Sequence, residues 1–235
     1  MPDAAKHQRY PYRWLTSVAP LHALKVAQYE IPMTWLRLTG RRTDLRFRGA
    51  SGLLVNVGCG RNGRPGWVNV DSADAPGVTC VYDCRKRIPL PDGVAKAVFT
   101  EHLLEHLDYQ EEAPVFLAEC RRILEPGGVI RVIVPDGRKY LMAYASRDWR
   151  EMRAFSPLAT DREPRTTLMQ IVNEHFRQVG QHRYSYDYET LALLLADSGF
   201  GAIVEARFGA SRMQELAIDS PTRASESLYV EASRS

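Results

Sequence analysis

Cysteine is scarce in this chain, and long apolar runs are missing. The four cysteines, Cys59, Cys80, Cys84 and Cys120, form neither Cys-x-x-Cys pairs nor a disulfide-framework spacing, so a stapled scaffold is not expected. Reduced thiols in a cytoplasmic protein fit this usage. No run of 18 apolar residues occurs, and the basic N-terminal stretch lacks an apolar core followed by a small-residue cleavage site. Neither a membrane span nor export is expected. A strong charge of one sign is also lacking, since the net charge is only +3, and no aromatic-basic stripe is present. Nucleic acid is therefore not an expected partner.

What is present reads as one ordinary globular domain with additions. The chain has 235 residues, of which 45% are hydrophobic and 25% charged, enough to bury one substantial core. Residues 1–50 hold nine Lys/Arg against three acids, a local net charge of +6, which reads as a solvated helical face. From about Trp14 to Leu38 the pattern is broadly helical with breaks at Pro20 and Pro32, an N-terminal helical extension. The expected division is 1–50 for that extension and 51–235 for the main domain, with an insertion at about 137–186.

Beyond residue 50 apolar runs alternate with helical patterns. Strands are predicted at Leu53–Val57, Val68–Val70, Thr79–Tyr82, Ala95–Thr100 and Val129–Val134, and a helix at about Gln110–Leu124 stopping at Pro126-Gly127-Gly128. Such alternation predicts a mostly parallel sheet of an α/β protein covered on both faces. A helix over Tyr188–Ser198 and strands Ala202–Phe208 and Ser227–Ala232 complete a seven-stranded sheet with an antiparallel end. Residues 58–67 carry Gly58, Gly60, Gly63, Pro65 and Gly66, so no crossover helix forms between the first two strands. One sheet face would then lie partly bare, and the N-terminal helices are expected to cover it.

The glycine turn carries the first functional signal. Gly58-Cys59-Gly60 directly follows an apolar strand, and the next strand ends on Asp71. A turn without side chains lets the backbone approach a ligand, and a carboxylate ending the next strand can accept both hydroxyls of a ribose. Gly58-x-Gly60-x-x-Gly63 also spells the dinucleotide fingerprint, but Arg64-Pro65-Gly66 denies it the helix that would meet a pyrophosphate. An NAD-dependent sugar-modifying enzyme is thereby disfavoured.

With the segments Val55-Asn56-Val57-Gly58-Cys59-Gly60, Val68-Asn69-Val70-Asp71, Asp83 ahead of Ile88-Pro89-Leu90-Pro91-Asp92, Glu101-His102-Leu103-Leu104-Glu105-His106 and Leu124-Glu125-Pro126-Gly127-Gly128 in order, residues 53–136 resemble the class I S-adenosylmethionine-dependent methyltransferases, the small bacterial group related to methyltransferase type 11. The resemblance implies a Rossmann-like sandwich and S-adenosyl-L-methionine as cofactor. It implies that Gly58 and Gly60 line the methionine and ribose, that Asp71 binds the ribose hydroxyls, and that Asp83 with the backbone of Cys84 meets the adenine. Val57, Cys59, Asn62, Ser72 and Glu101 would flank the same ligand, with His102 near its methionine end. Asn56 departs from the usual acidic residue, Lys96 stands where an aspartate is common, and the first crossover is shortened.

The implied function is methyl transfer to an oxygen or nitrogen of a small molecule or saccharide; a catalytically silent cofactor-binding scaffold is the alternative. A hydroxyl acceptor needs its proton removed, for which His102, His175 and Asp136 are the candidates in that order. Asp136 follows the fifth strand, on the edge where open parallel sheets bind ligands. His102-x-x-Glu105-His106 also matches the motif of inverted zinc proteases. Its setting between a strand and Pro-Gly-Gly opposes that chemistry, so Glu105 and His106 are expected to cap and pack a helix, with no metal. A homodimer is compatible with the sequence.

Overall fold

The structure, a computed structural model, describes residues 27, 30–36, 38, 46–156 and 167–235. Most of the expected N-terminal extension, and residues 157–166 of the expected insertion, lie outside the described residues. Seven strands form one sheet: β1 (Leu53–Val57), β2 (Val68–Asp71), β3 (Cys80–Val81), β4 (Ala95–Glu101), β5 (Leu124–Pro135), β6 (Phe200–Glu205) and β7 (Ser227–Arg234). Their spatial order is β3-β2-β1-β4-β5-β7-β6, with β7 antiparallel to both neighbours and the other pairs parallel. The order reverses between β1 and β4, which opens a crevice at their carboxyl ends.

Five helices follow the sheet's first half: α1 (Ala113–Ile123), α2 (Gly137–Ala145), α3 (Trp149–Phe155), α4 (Leu168–Arg177) and α5 (Tyr188–Asp197). Alternation along the strands sorts residues by face. Val55, Val57, Val98, Ile130, Val132 and Val134 join Phe116, Leu117 and Ile123 of α1 and Leu191 and Leu195 of α5 in the main core. Each such side chain, fully buried, contributes roughly 1.5–3 kcal/mol.

The opposite face is covered over β4, β5 and β7 by the connection between β6 and β7, and the expected cover by N-terminal helices lies mostly outside the described residues. Ala97, Phe99, Val129, Ile133 and Tyr229 pack against Leu216, Met213 and Ile218, residues of the connection between β6 and β7. Within that apolar layer Arg131 is fully buried, and it donates two hydrogen bonds to Asp219, at 2.7 and 2.6 Å, and one to Glu231 at 2.8 Å. Lys96, which has no role in the sequence pattern, pairs with Glu215 of the same connection at 2.7 Å. Over β4, β5 and β7 a loop pinned by ion pairs thus replaces helices.

Between β1 and β2 the chain makes only turns, as its glycines and proline dictate. One boundary differs from expectation: α1 ends at Ile123, and Leu124 already pairs with Ala95 as part of β5. The register shifts before Ala97 pairs with Val129, so Pro126-Gly127-Gly128 forms an irregularity within the strand.

Candidate functional site

The glycine turn is built as the sequence suggests and tied down more firmly. Gly58 has φ +74° and Gly60 φ +52°, and Gly58 N donates to Val70 C=O at 2.8 Å. Asp71, at the end of β2, accepts from Gly60 N at 2.7 Å through Oδ2 and from Ala73 N at 2.8 Å through Oδ1. Each carboxylate oxygen retains a lone pair for a further donor. Asn56 donates to Asn62 C=O at 3.3 Å, and Asn69 both accepts from Arg64 N and donates to Arg64 C=O at 2.9 Å. This asparagine pair shapes the loop where an acidic residue is usual, and only Asn56 of the two stood out in the sequence.

The two glycines differ in what faces them. A Cβ on Gly58 would lie 2.8 Å from the Leu103 side chain, whereas one on Gly60 meets nothing within 4 Å. Leu103 therefore packs over the first half of the turn and leaves the second open. Cys59 inside the turn is buried, and burial with the nearby Asp71 carboxylate pushes its thiol up to about 11. Val57 lies wholly within the core and reaches a ligand only through its backbone.

A cleft of about 570 Å³ opens beyond the carboxyl ends of β2, β3 and β4. It is lined by Ser72, Asp83, Cys84 and Leu103 together with Arg85, His106, Glu112 and Gln181. Asp83, 2% exposed, is gripped by Arg85 through Nε and Nη2, both at 2.9 Å. Arg85 in turn donates to Glu112 at 3.1 Å and to Glu30 at 2.8 Å, which brings the described N-terminal stretch to the cleft. This bidentate pairing of Asp83 has no counterpart in the sequence pattern. Burial pushes the Cys84 thiol up to about 12, so it serves as an apolar wall and not as a nucleophile.

These residues fit an adenosyl ligand. An open glycine at Gly60, a strand-end carboxylate with remaining acceptor capacity at Asp71, and a cleft with Ser72, Asp83 and the Cys84 backbone on its wall supply the groups that a ribose and an adenine require. The volume suits a small-molecule site, for which roughly 300–1,000 Å³ is usual.

The proposed catalytic residues are dispersed. His102, at φ +53° just after β4, places Nε2 2.8 Å from Ser227 Oγ and Nδ1 3.3 Å from Glu105 Oε1. Glu101 beside it accepts from Ser220 N at 2.9 Å and from its hydroxyl. His175 is buried in α4, stacked on Tyr140 at 3.8 Å and bonded to Ser185 Oγ at 2.9 Å; burial pushes its imidazole down to about 4. Asp136 caps α2 by accepting from Arg138 N at 3.0 Å, and burial raises its carboxyl. His102 and His175 share a second, smaller cavity of about 80 Å³ with Glu105, His106 and His182, and Asp136 is not among its lining residues.

Glu105 and His106 do not cap an α-helix. Leu104–His106 is a single 3-10 turn without a side-chain cap. Glu105 is 2% exposed and neither carboxylate oxygen has a hydrogen-bond partner among the described residues. Burial opposes its ionisation, and the facing His102 and His106 imidazoles more than offset this, holding the carboxyl below its usual value.

Residues 60–132 match the model of a family described as a methyltransferase domain. No curated protein matches. Among solved structures the chain is similar to a SAM-dependent methyltransferase of Thermotoga maritima, described as a possible histamine N-methyltransferase, at 14% identity and TM-score 0.48, over 91% of this chain and 96% of that one. It is also similar to 1,6-didemethyltoxoflavin-N1-methyltransferase of Burkholderia thailandensis, solved with S-adenosylhomocysteine, at 16% identity and TM-score 0.47, over 99% and 92% of the two chains.

Proposed function

We propose that this chain is a class I S-adenosylmethionine-dependent methyltransferase, a reading supported by its match to a methyltransferase-domain model over residues 60–132 and by its strand order, and that it transfers the methyl group to an oxygen or nitrogen of a small molecule or sugar. One observation carries this reading. The cleft walled by Ser72, Asp83, Cys84 and Leu103 lies beside the glycine turn: a Cβ on Gly58 would lie 2.8 Å from Leu103, and Asp71, the neighbour of Ser72 in the chain, accepts from Gly60 N.

When bound, S-adenosylmethionine supplies an electrophilic methyl group on a positive sulfonium. Asp71 accepts the ribose hydroxyls with its remaining lone pairs, while Asp83 and the Cys84 backbone read the adenine. The backbones of Val57, Gly58, Cys59 and Gly60, with Asn62 and Glu101, hold the methionine end. Leu103 and Leu107 exclude water from the adenosine wall. Because these contacts fix position without breaking bonds, the chain accelerates transfer mainly through attack geometry.

For a hydroxyl acceptor, His102 is the base. Ser227 donates its hydroxyl hydrogen to Arg223 C=O at 2.8 Å, so His102 Nε2 carries the hydrogen shared with Ser227 and Nδ1 is the atom that takes a proton, beside Glu105. His175, bonded to Ser185, and Asp136, engaged as a cap, rank behind it.

The test is release of S-adenosylhomocysteine in the presence of hydroxylated and amino-bearing small molecules and sugars. Acceptor-dependent release is expected, and its absence across the panel with the cofactor bound would favour the silent scaffold. With an acceptor in hand, His102→Ala lowers turnover at least tenfold, about 1.4 kcal/mol of barrier, with cofactor affinity retained. Unchanged turnover in His102→Ala, His175→Ala and Asp136→Ala would remove the acid-base role.

A further inference from the structure

The Glu105 carboxylate is buried at the wall of the histidine cavity. An ionised carboxylate out of water needs donors or a cation, and this one has no hydrogen bond to either oxygen among the described residues. Two imidazoles stand beside it. Oε1 lies 3.9 Å from His106 Nε2, and ligand atoms of Glu105, His106 and His182 all fall within 4.8 Å of one another. A tetrahedral ion with bonds of about 2.05 Å holds its ligand atoms about 3.4 Å apart, so small side-chain adjustments close the gap.

The histidines present the right nitrogens. His106 Nδ1 faces Gln181 C=O at 3.1 Å and His182 Nδ1 faces His175 C=O at 2.6 Å. A carbonyl only accepts, so each Nδ1 carries the hydrogen and each Nε2 is left with its lone pair, the outer arrangement that orients metal-binding imidazoles. The backbone enforces the meeting, since Glu105 C=O accepts from Arg183 N at 2.8 Å and Tyr184 N at 3.2 Å, which anchors His182 next to the 3-10 turn. His102 Nδ1 lies 3.3 Å from the same oxygen, Oε1.

We propose that Glu105, His106 and His182 bind one first-row transition-metal dication, of the zinc class, in the wall between the cleft and the histidine cavity. Two imidazoles with one carboxylate suit zinc and its neighbours better than magnesium or calcium, which prefer oxygen ligands throughout. Three protein ligands leave a coordination position for water or an acceptor oxygen. Because His106 lines both the cleft and the smaller cavity, that position is reachable from the cleft. The grouping differs from that of the inverted zinc-protease motif: the partner of His106 here is the distant His182, while His102 bonds to Ser227. The site is independent of the methyl-transfer reading, and its test does not require turnover.

An untagged full-length chain is stripped with a chelator, and zinc is titrated against a chromophoric competitor with the metal content measured by plasma emission. One zinc per chain with a submicromolar dissociation constant is expected. His106→Ala and His182→Ala should each weaken binding at least tenfold, and cobalt in the wild type should give d–d absorption that Glu105→Gln alters. Circular dichroism checks folding; if His182→Ala unfolds, His106→Gln, altering a side chain that is 34% exposed, decides the matter. Failure of the wild type to bind stoichiometric zinc, or unchanged affinity in the folded variants, would overturn the proposal.

Discussion

Gly63 has no room for a side chain: an added Cβ would lie 2.6 Å from the carbonyl oxygen of Gly77, a backbone atom that cannot swing away. Gly63→Ala is expected to destabilise the fold by about 1–3 kcal/mol, as overpacking does, read as a lowered urea midpoint. An unchanged midpoint would show that the loop yields. The pattern Gly58-x-Gly60-x-x-Gly63 was visible in the sequence, but its third glycine serves chain approach instead of opening a helix. Asp71 was equally legible, because a carboxylate ending a strand next to a glycine turn is a local signal. The bidentate grip of Arg85 on Asp83 was not, since a fork between residues two apart outside a regular element has no periodic signature. The meeting of Glu105, His106 and His182 was hidden for the same reason at longer range.

Elements with strong periodicity were readable and short ones were not. α1 and α5 follow their apolar faces, whereas β3 is only two residues long and the 3-10 turn at Leu104–His106 carries no pattern of its own. The start of α5 offers a direct test. Asp187 accepts from Thr190 N at 2.9 Å, and hydrogen bonds from Thr190 hold its carboxyl below the ordinary value. Because the folded value is depressed, the cap contributes fully above the unfolded carboxylate range, near pH 4, and is lost as pH falls through the folded value. Asp187→Ala should cost about 1 kcal/mol at pH 7, and the gap from the wild type should shrink toward pH 2 in urea denaturation. A gap that is constant with pH would contradict the cap.

At the scale of the whole molecule, the seven-stranded, mostly parallel sheet with its antiparallel end and the alternation of apolar residues were legible, while the strand order and the covering of the second face by the β6–β7 connection were not. The connection between β6 and β7 reads as polar, and it covers a sheet face because Arg131 inside the layer satisfies Asp219 and Glu231 and also donates to Arg207 C=O and Ala210 C=O at 2.9 Å. Polar residues can line a core when their partners come with them. Arg131→Ala leaves two acids buried without their cation and should cost about 3–5 kcal/mol, seen as a large fall in thermal midpoint. A loss below about 1 kcal/mol, the worth of an exposed pair, would refute the buried network. The central claim, that the ends of β2, β3 and β4 hold an adenosyl ligand beside the glycine turn, is tested most directly by calorimetric titration of the full chain with S-adenosylhomocysteine. One site per chain, weakened at least tenfold by Asp71→Asn, is the expected result; a folded protein that takes up neither this compound nor S-adenosylmethionine would contradict it.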